Sequence, residues 1–178
     1  MSGVKEKVEV IANVSIILLA LALGAVLLKK YLVNPTAQGN TRPVPKRVSV
    51  GDKISLNDID FAKAEQTLLI ALSKSCRFCS ESGPFYQRLI GEIAQQQNIR
   101  CFFLFPHSVD EGKKYLDDLS IVADQVKQVD FESLQVTGTP TLILLDKNGV
   151  VTNVWVGKLE ANQEEEVLAK LRPCPACD

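Results

Sequence analysis

Residues 136–159 read VTGTPTLILLDKNGVVTNVWVGKL, and the fold turns on them. Residues 141–145 and 150–156 are short apolar runs rich in Leu, Ile and Val, fit for buried strands. Between them stands Asp146-Lys147-Asn148-Gly149. An Asn-Gly step between apolar runs signals a hairpin, because both residues tolerate the positive φ that tight turns demand. The sheet is therefore antiparallel at this edge. Beyond it, residues 162–171 read as a closing helix. Glu164, Glu165 and Glu166 suit its positive N-terminal end, and Pro173 stops it.

Upstream, the pattern becomes strand alternating with helix. QTLLIALS (66–73) and IRCFFLF (99–105) are apolar runs of strand length. Between them Phe85, Leu89 and Ile93 recur every four residues, with Tyr86 and Ile90 beside them. That is one apolar helical stripe, running to about Gln97. Ser75 is placed to cap this helix near Cys76. Residues 109–119, with Lys113, Lys114, Asp117 and Asp118, read as a surface helix. Strand, helix, strand, helix, hairpin and helix make an α/β sandwich with a mixed sheet. No internal repeat interrupts the pattern.

Five cysteines mark the chain: Cys76, Cys79, Cys101, Cys174 and Cys177. Cys101 sits in an apolar run and reads as a buried free thiol. Cys76-Arg77-Phe78-Cys79 falls where a helix begins. There the first sulfur meets free backbone N–H groups and the positive helix end, which favour thiolate over thiol. Lys74 and Arg77 add positive charge nearby. The second sulfur lies one turn on and can close a disulfide with little movement. Cys76 is thus the expected attacking thiolate, and Cys79 the thiol that resolves the mixed disulfide. The alternative is half a zinc site. Zinc takes four ligands as a rule, the other CxxC lies far along the chain, and His107 is the lone histidine. Dithiol exchange is the preferred reading, and it requires no cofactor. His107 and Trp155 read as surface and core residues.

These motifs together resemble the thioredoxin superfamily over about residues 51–171. Gly138-Thr139-Pro140 is similar to the family's loop with a cis-proline opposite the CxxC, Pro84 to its helix-kinking proline, and Gly157 to the glycine after its last strand. The resemblance implies a thioredoxin-like three-layer sandwich with a mixed central sheet. It also implies that Thr139 and Pro140 complete the site by offering backbone to a substrate strand. The long spacer between Cys79 and Pro140 leaves room for a helix-containing insertion. With the N-terminal segment, it resembles the TlpA/ResA-like branch of extracytoplasmic reductants. Departures are Ser75 for the usual Trp, Arg77-Phe78 between the cysteines, and Ile70 for the family's buried acid. Ser82 replaces the branch's frequent Glu. Neighbouring Glu81 reads as a solvated surface residue, with proton transfer as the alternative.

Residues 10–28 carry no charge over 19 positions. At about 1.5 Å per residue that nearly spans a hydrocarbon core of about 30 Å. An uncleaved transmembrane signal-anchor is preferred to a cleaved signal peptide, because the apolar run continues past Ala20-Leu21-Ala22. Lysines and arginines are more numerous after the span than before it, which would place the following domain in the cytoplasm. A tethered CxxC argues the other way, since disulfides persist outside. The expected organisation is a short tail (1–9), the anchor (10–28), a Pro-containing linker (29–50), the domain (51–172) and a C-terminal tail (173–178).

That tail carries Cys174-Pro175-Ala176-Cys177. It reads as a second redox pair, a structural or adventitious disulfide, or a soft-metal clip. The net charge of −1, with both signs mixed along the chain, gives nucleic acid no purchase. The expected function is thiol–disulfide exchange on protein dithiols or disulfides outside the cytoplasm, as a reductant, with a membrane electron donor or acceptor as partner. The alternative is a copper-binding or copper-delivery module. Copper-binding relatives typically use CxxxC with a distant histidine, a pattern this chain lacks.

Overall fold

The computed structural model describes residues 17–24 and 46–171. The chain divides into two compact units, residues 1–44 and 45–178. In the first, residues 17–24 are helical, with Ile17, Leu18, Leu19, Leu21 and Leu23 exposed. Among the described residues no helix is long and apolar enough to cross a membrane. The rest of the expected 10–28 anchor, and most of the linker, lie outside the described residues.

The second unit is built on β1 (Gln66–Ala71), α1 (Arg77–Glu81), α2 (Gly83–Ile93), β2 (Ile99–Phe105), α3 (Val109–Asp118), β3 (Val126–Gln128), β4 (Thr141–Asp146), β5 (Val151–Val156) and α4 (Ala161–Leu171). The sheet order is β3-β2-β1-β4-β5. β1, β2 and β3 are parallel, whereas β4 runs antiparallel to both β1 and β5. The mixed sheet is as expected. β3 was not legible: three residues, Val-Lys-Gln, carry too little pattern. It pairs with β2 at Phe103, Leu104 and Phe105 and forms part of the insertion that the long spacer allowed.

Both parallel crossovers step the same way across the sheet, and right-handed connections put α2 and α3 on one face. Leu68, Ile70, Phe103, Phe105, Leu142 and Leu144 point there. They pack against Phe85, Tyr86 and Leu89 of α2, Leu116 of α3, and Val167, Leu168 and Leu171 of α4. The alternate residues Leu69, Ala71, Phe102, Leu104, Ile143 and Leu145 point to the other face, as strand geometry requires. That face is covered by Val48, Ile54, Ile59, Phe61, Leu134 and Val136. The expected three-layer sandwich is corrected accordingly: among the described residues its third layer holds a 3-10 turn, Phe61–Lys63, and irregular chain, but no α-helix. The chain returns from β3 to β4 through turns and bends.

Two local differences bear on the site. The helix after Cys76 is two helices, broken at Ser82. Pro84 has no N–H to bond back into the preceding turn, and Ser82 Oγ instead donates to the Phe78 carbonyl at 2.9 Å. α2 ends at Ile93, short of Gln97. At the other sheet edge, the β4–β5 register shifts between Leu144 and Leu145. Leu142 then faces Trp155 while Leu145 faces Val151, so each pair falls within one core cluster.

Candidate active site

β1 ends at Ala71 and the chain turns through Leu72–Ser75 into α1. Cys76 itself, not Ser75, is the N-cap. Its backbone is extended, and its sulfur accepts the Cys79 N–H at 3.2 Å. A thiol sulfur is a weak acceptor, so this cap has more to do with the thiolate than with helix stability. α1 is barely more than one turn, so local N–H groups, rather than a long helix dipole, act on the sulfur.

The Thr139–Pro140 bond is cis. It follows the turn that delivers β4, and the Gly157 N–H bonds to the Pro140 carbonyl at 2.7 Å. The Cys76 thiol donates to the Thr139 carbonyl at 3.2 Å. Cys76, Cys79, Thr139 and Pro140 therefore meet at one point, from two segments far apart in sequence. The Cys174–Cys177 pair lies outside the described residues.

The two sulfurs differ. Cys76 is half-buried, whereas Cys79 is fully buried. For Cys76, burial opposes charging. Hydrogen bonding with the Cys79 and Thr139 side chains, and with the Cys79 and Phe78 backbone, outweighs it and brings the pKa below the ordinary 9.0. For Cys79, burial and its hydrogen bond with Cys76 push the pKa up to about 12. The two adjacent thiols are thus shifted in opposite directions.

Other side chains lie on the segments around the pair, and of these the sequence had not marked Ser73, Ser80, Tyr115, Val156 or Lys158. Phe78, between the cysteines in sequence, has 55% of its surface exposed. Val156, at the end of β5 opposite Thr141, is 59% exposed. Glu81 accepts from Arg77 Nε at 2.6 Å and from Lys158 Nζ at 2.9 Å. Those bonds, Lys158 foremost, hold its carboxyl below the usual range. A carboxylate tied to two cations is a poor proton carrier, which favours the surface reading of Glu81. On the opposite side, Lys74 is paired with Glu111, and Ser80 Oγ lies 3.0 Å from Tyr115 Oη. Ser73 and His107 also meet here. They stand 34 positions apart, and no sequence pattern joins them. Cys101 is partly buried against the helical core, away from the pair, and burial raises its pKa. Among the described residues no group of three or more His, Cys, Asp or Glu gathers as metal ligands would.

A buried thiol behind a half-exposed one, facing a cis-proline on a mixed sheet, defines a thioredoxin-type thiol–disulfide oxidoreductase. The chain belongs to the thioredoxin-like family, whose domain model matches residues 58–172. Solved structures share the fold. One is a thiol:disulfide interchange protein of the DsbE type from Chlorobium tepidum, with 19% identity over 70% of this chain and 96% of that one, TM-score 0.52. Another is a thiol-disulfide isomerase from Corynebacterium glutamicum, with 16% identity over 72% and 96% of the two chains, TM-score 0.51. A third is the thioredoxin domain of a Bacteroides vulgatus thiol-disulfide oxidoreductase, with 16% identity over 69% and 97%, TM-score 0.52. No curated protein matches the sequence.

Proposed function

We propose that this chain reduces disulfides of protein partners outside the cytoplasm, tethered through residues 10–28 and recharged by a membrane electron donor. The observation that carries the exchange chemistry is the asymmetry of the two sulfurs. Cys76 thiolate attacks a partner disulfide, forming the Cys76–partner bond and releasing one partner thiolate, which takes up a proton. Cys79 then loses its proton and attacks Cys76, closing the Cys76–Cys79 disulfide and releasing the second partner thiol. Two electrons pass to the partner, and the chain ends oxidised. Phe78 within the motif and Val156 opposite Thr141 offer exposed apolar surface, suited to a peptide segment.

The direction rests on the groups that stabilise the Cys76 thiolate, which are neutral. Strong oxidants owe their potential to a reduced form held by a much depressed thiol pKa. The test is a redox titration of the pair against glutathione. The expected potential is more negative than about −200 mV, and a value near about −120 mV would make the protein an oxidant instead. The location rests on the tethered CxxC, against the lysine and arginine count. A membrane-impermeant thiol reagent should label reduced Cys76 on intact cells. Labelling only after permeabilisation would place the domain inside.

A further inference from the structure

Arg77 follows Cys76 directly and has 87% of its side chain exposed. Its Nε donates to Glu81 Oε1 at 2.6 Å, one helical turn on. Glu81 is held from the other side by Lys158 Nζ at 2.9 Å. Lys158 comes next after Gly157, whose N–H holds the Pro140 carbonyl. The carboxylate thus bridges the CxxC helix to the segment behind the cis-proline, and it fixes the root of the guanidinium. Nη1 and Nη2 make no hydrogen bond among the described residues, so the open end of the fork keeps its donors. That end is shaped to take a second carboxylate. Charge points the same way. Two cations against one carboxylate leave the α1 rim with a positive excess. The opposite rim is balanced, since Lys74, Lys114, Glu111 and Asp118 line one groove there. The chain as a whole carries −1. The positive excess therefore belongs to the segment next to Cys76 rather than to the chain.

We propose that Arg77 is a specificity-determining residue, favouring partner disulfides whose cysteine is flanked by Asp or Glu. This rests on the exchange reading above. For exchange, the partner's sulfur must come within bonding distance of Cys76. The residues on either side of that sulfur are then brought to the surface around Cys76, where Arg77 stands. An acidic one meets the open end of Arg77 in a charge-assisted hydrogen bond. A basic one meets the positive excess and is repelled. Glu81 holds the arginine in place before the partner arrives, so less side-chain freedom is lost on contact. Phe78, the other residue between the cysteines, is apolar and exposed and treats both partners alike.

The experiment uses the full reduced chain and three disulfide-linked peptides, identical except that Asp, Asn or Lys flanks the cysteine. The rate of peptide reduction is followed at pH 7 for wild type, Arg77→Gln, Arg77→Glu and Lys170→Gln. Any change in Cys76 reactivity acts on all three peptides, and any difference between the peptides acts on all four proteins. Only the Asp-over-Lys rate ratio, compared with that of wild type, is therefore read. In low salt, Arg77→Gln should lower that ratio about three- to tenfold, and Arg77→Glu should lower it further. In about 0.5 M salt the difference should shrink, because the charges are screened. Lys170→Gln removes the same charge at the far end of the domain and should keep the wild-type ratio. An Arg77→Gln ratio equal to that of wild type overturns the proposal. So does a Lys170→Gln ratio lowered as much as that of Arg77→Gln, because the charge of the whole chain would then be acting. Reduction of the Asn peptide with no charge preference defeats this inference alone. Failure to reduce any of the three peptides defeats the exchange reading, and this inference with it.

Discussion

Cys79 is protonated at any pH the protein normally meets, and that has a thermodynamic consequence. Its pKa stands at about 12 in the folded chain against an ordinary 9.0. Between those values the unfolded chain has lost the proton and the folded chain keeps it, so stability falls as pH rises. Reduced protein should lose stability from about pH 9 upward, and Cys79→Ala should flatten part of that slope in denaturant titrations. Equal slopes for both proteins would show that burial does not raise this thiol. For catalysis, Cys76→Ser should abolish exchange, whereas Cys79→Ser should leave attack possible and trap mixed disulfides. Near neutral pH, alkylation should reach Cys76 before Cys79. Preferential labelling of Cys79 would reverse the two roles. The cysteines themselves were legible because the spacing of a CxxC is local. The pairings of Ser73 with His107 and of Glu81 with Lys158 were not, because packing alone brings those residues together.

Among the elements, α3 shows a conflict between propensity and packing. Gly112 lies inside this helix, where alanine would normally be better by about 1 kcal/mol. A Cβ there would stand 2.7 Å from Phe105 Cδ2, however. Phe105 is fully buried and meets Tyr115 edge to face, so its ring has little room to yield. Overpacking of this kind costs about 1–3 kcal/mol. The clash should win, and Gly112→Ala should destabilise by about 1 kcal/mol in denaturant titrations, the reverse of what helix propensity foretells. The hairpin glycine behaves more simply. Gly149 has φ +76°, and a Cβ would approach the Ile54 carbonyl to 2.9 Å. This position was legible in Asn148-Gly149, as were β1, β2, β4 and β5 in their apolar runs. The break at Ser82 was marked by Pro84 alone, since the stripe of Phe85, Leu89 and Ile93 lies wholly beyond it. Periodicity reports which side is buried, but not where a backbone hydrogen bond is missing.

At the scale of the molecule, the course of α4 bears on the C-terminal cysteines. The Lys170 carbonyl accepts from Gln66 Nε2 at 3.2 Å, so α4 ends beside the first residue of β1. Cys76 lies past the other end of that strand. Five strand steps of about 3.3 Å separate the two ends of β1, and the loop to Cys76 lies beyond. Cys174 follows Leu171 by three residues, a reach of roughly 10 Å at full extension. Exchange between Cys174 and Cys76 is therefore expected between chains. A Cys79→Ser, Cys177→Ser double variant, gently oxidised, should give a Cys76–Cys174 linked peptide in dimer. The same peptide from monomer would refute that expectation. The uneven covering of the sheet has a separate consequence, for where the domain can be cut. The family match begins at residue 58, yet Val48 and Ile54 lie on the helix-free face. The Gly51 N–H bonds to Val151 O at 2.8 Å, and the Ile54 N–H to Gly149 O at 2.9 Å. A fragment begun at residue 58 would lay Leu145 and Val151 open to water and leave an unguarded sheet prone to self-association. A fragment begun at residue 46 keeps that cover, and it should stay monodisperse in light scattering where the shorter one aggregates.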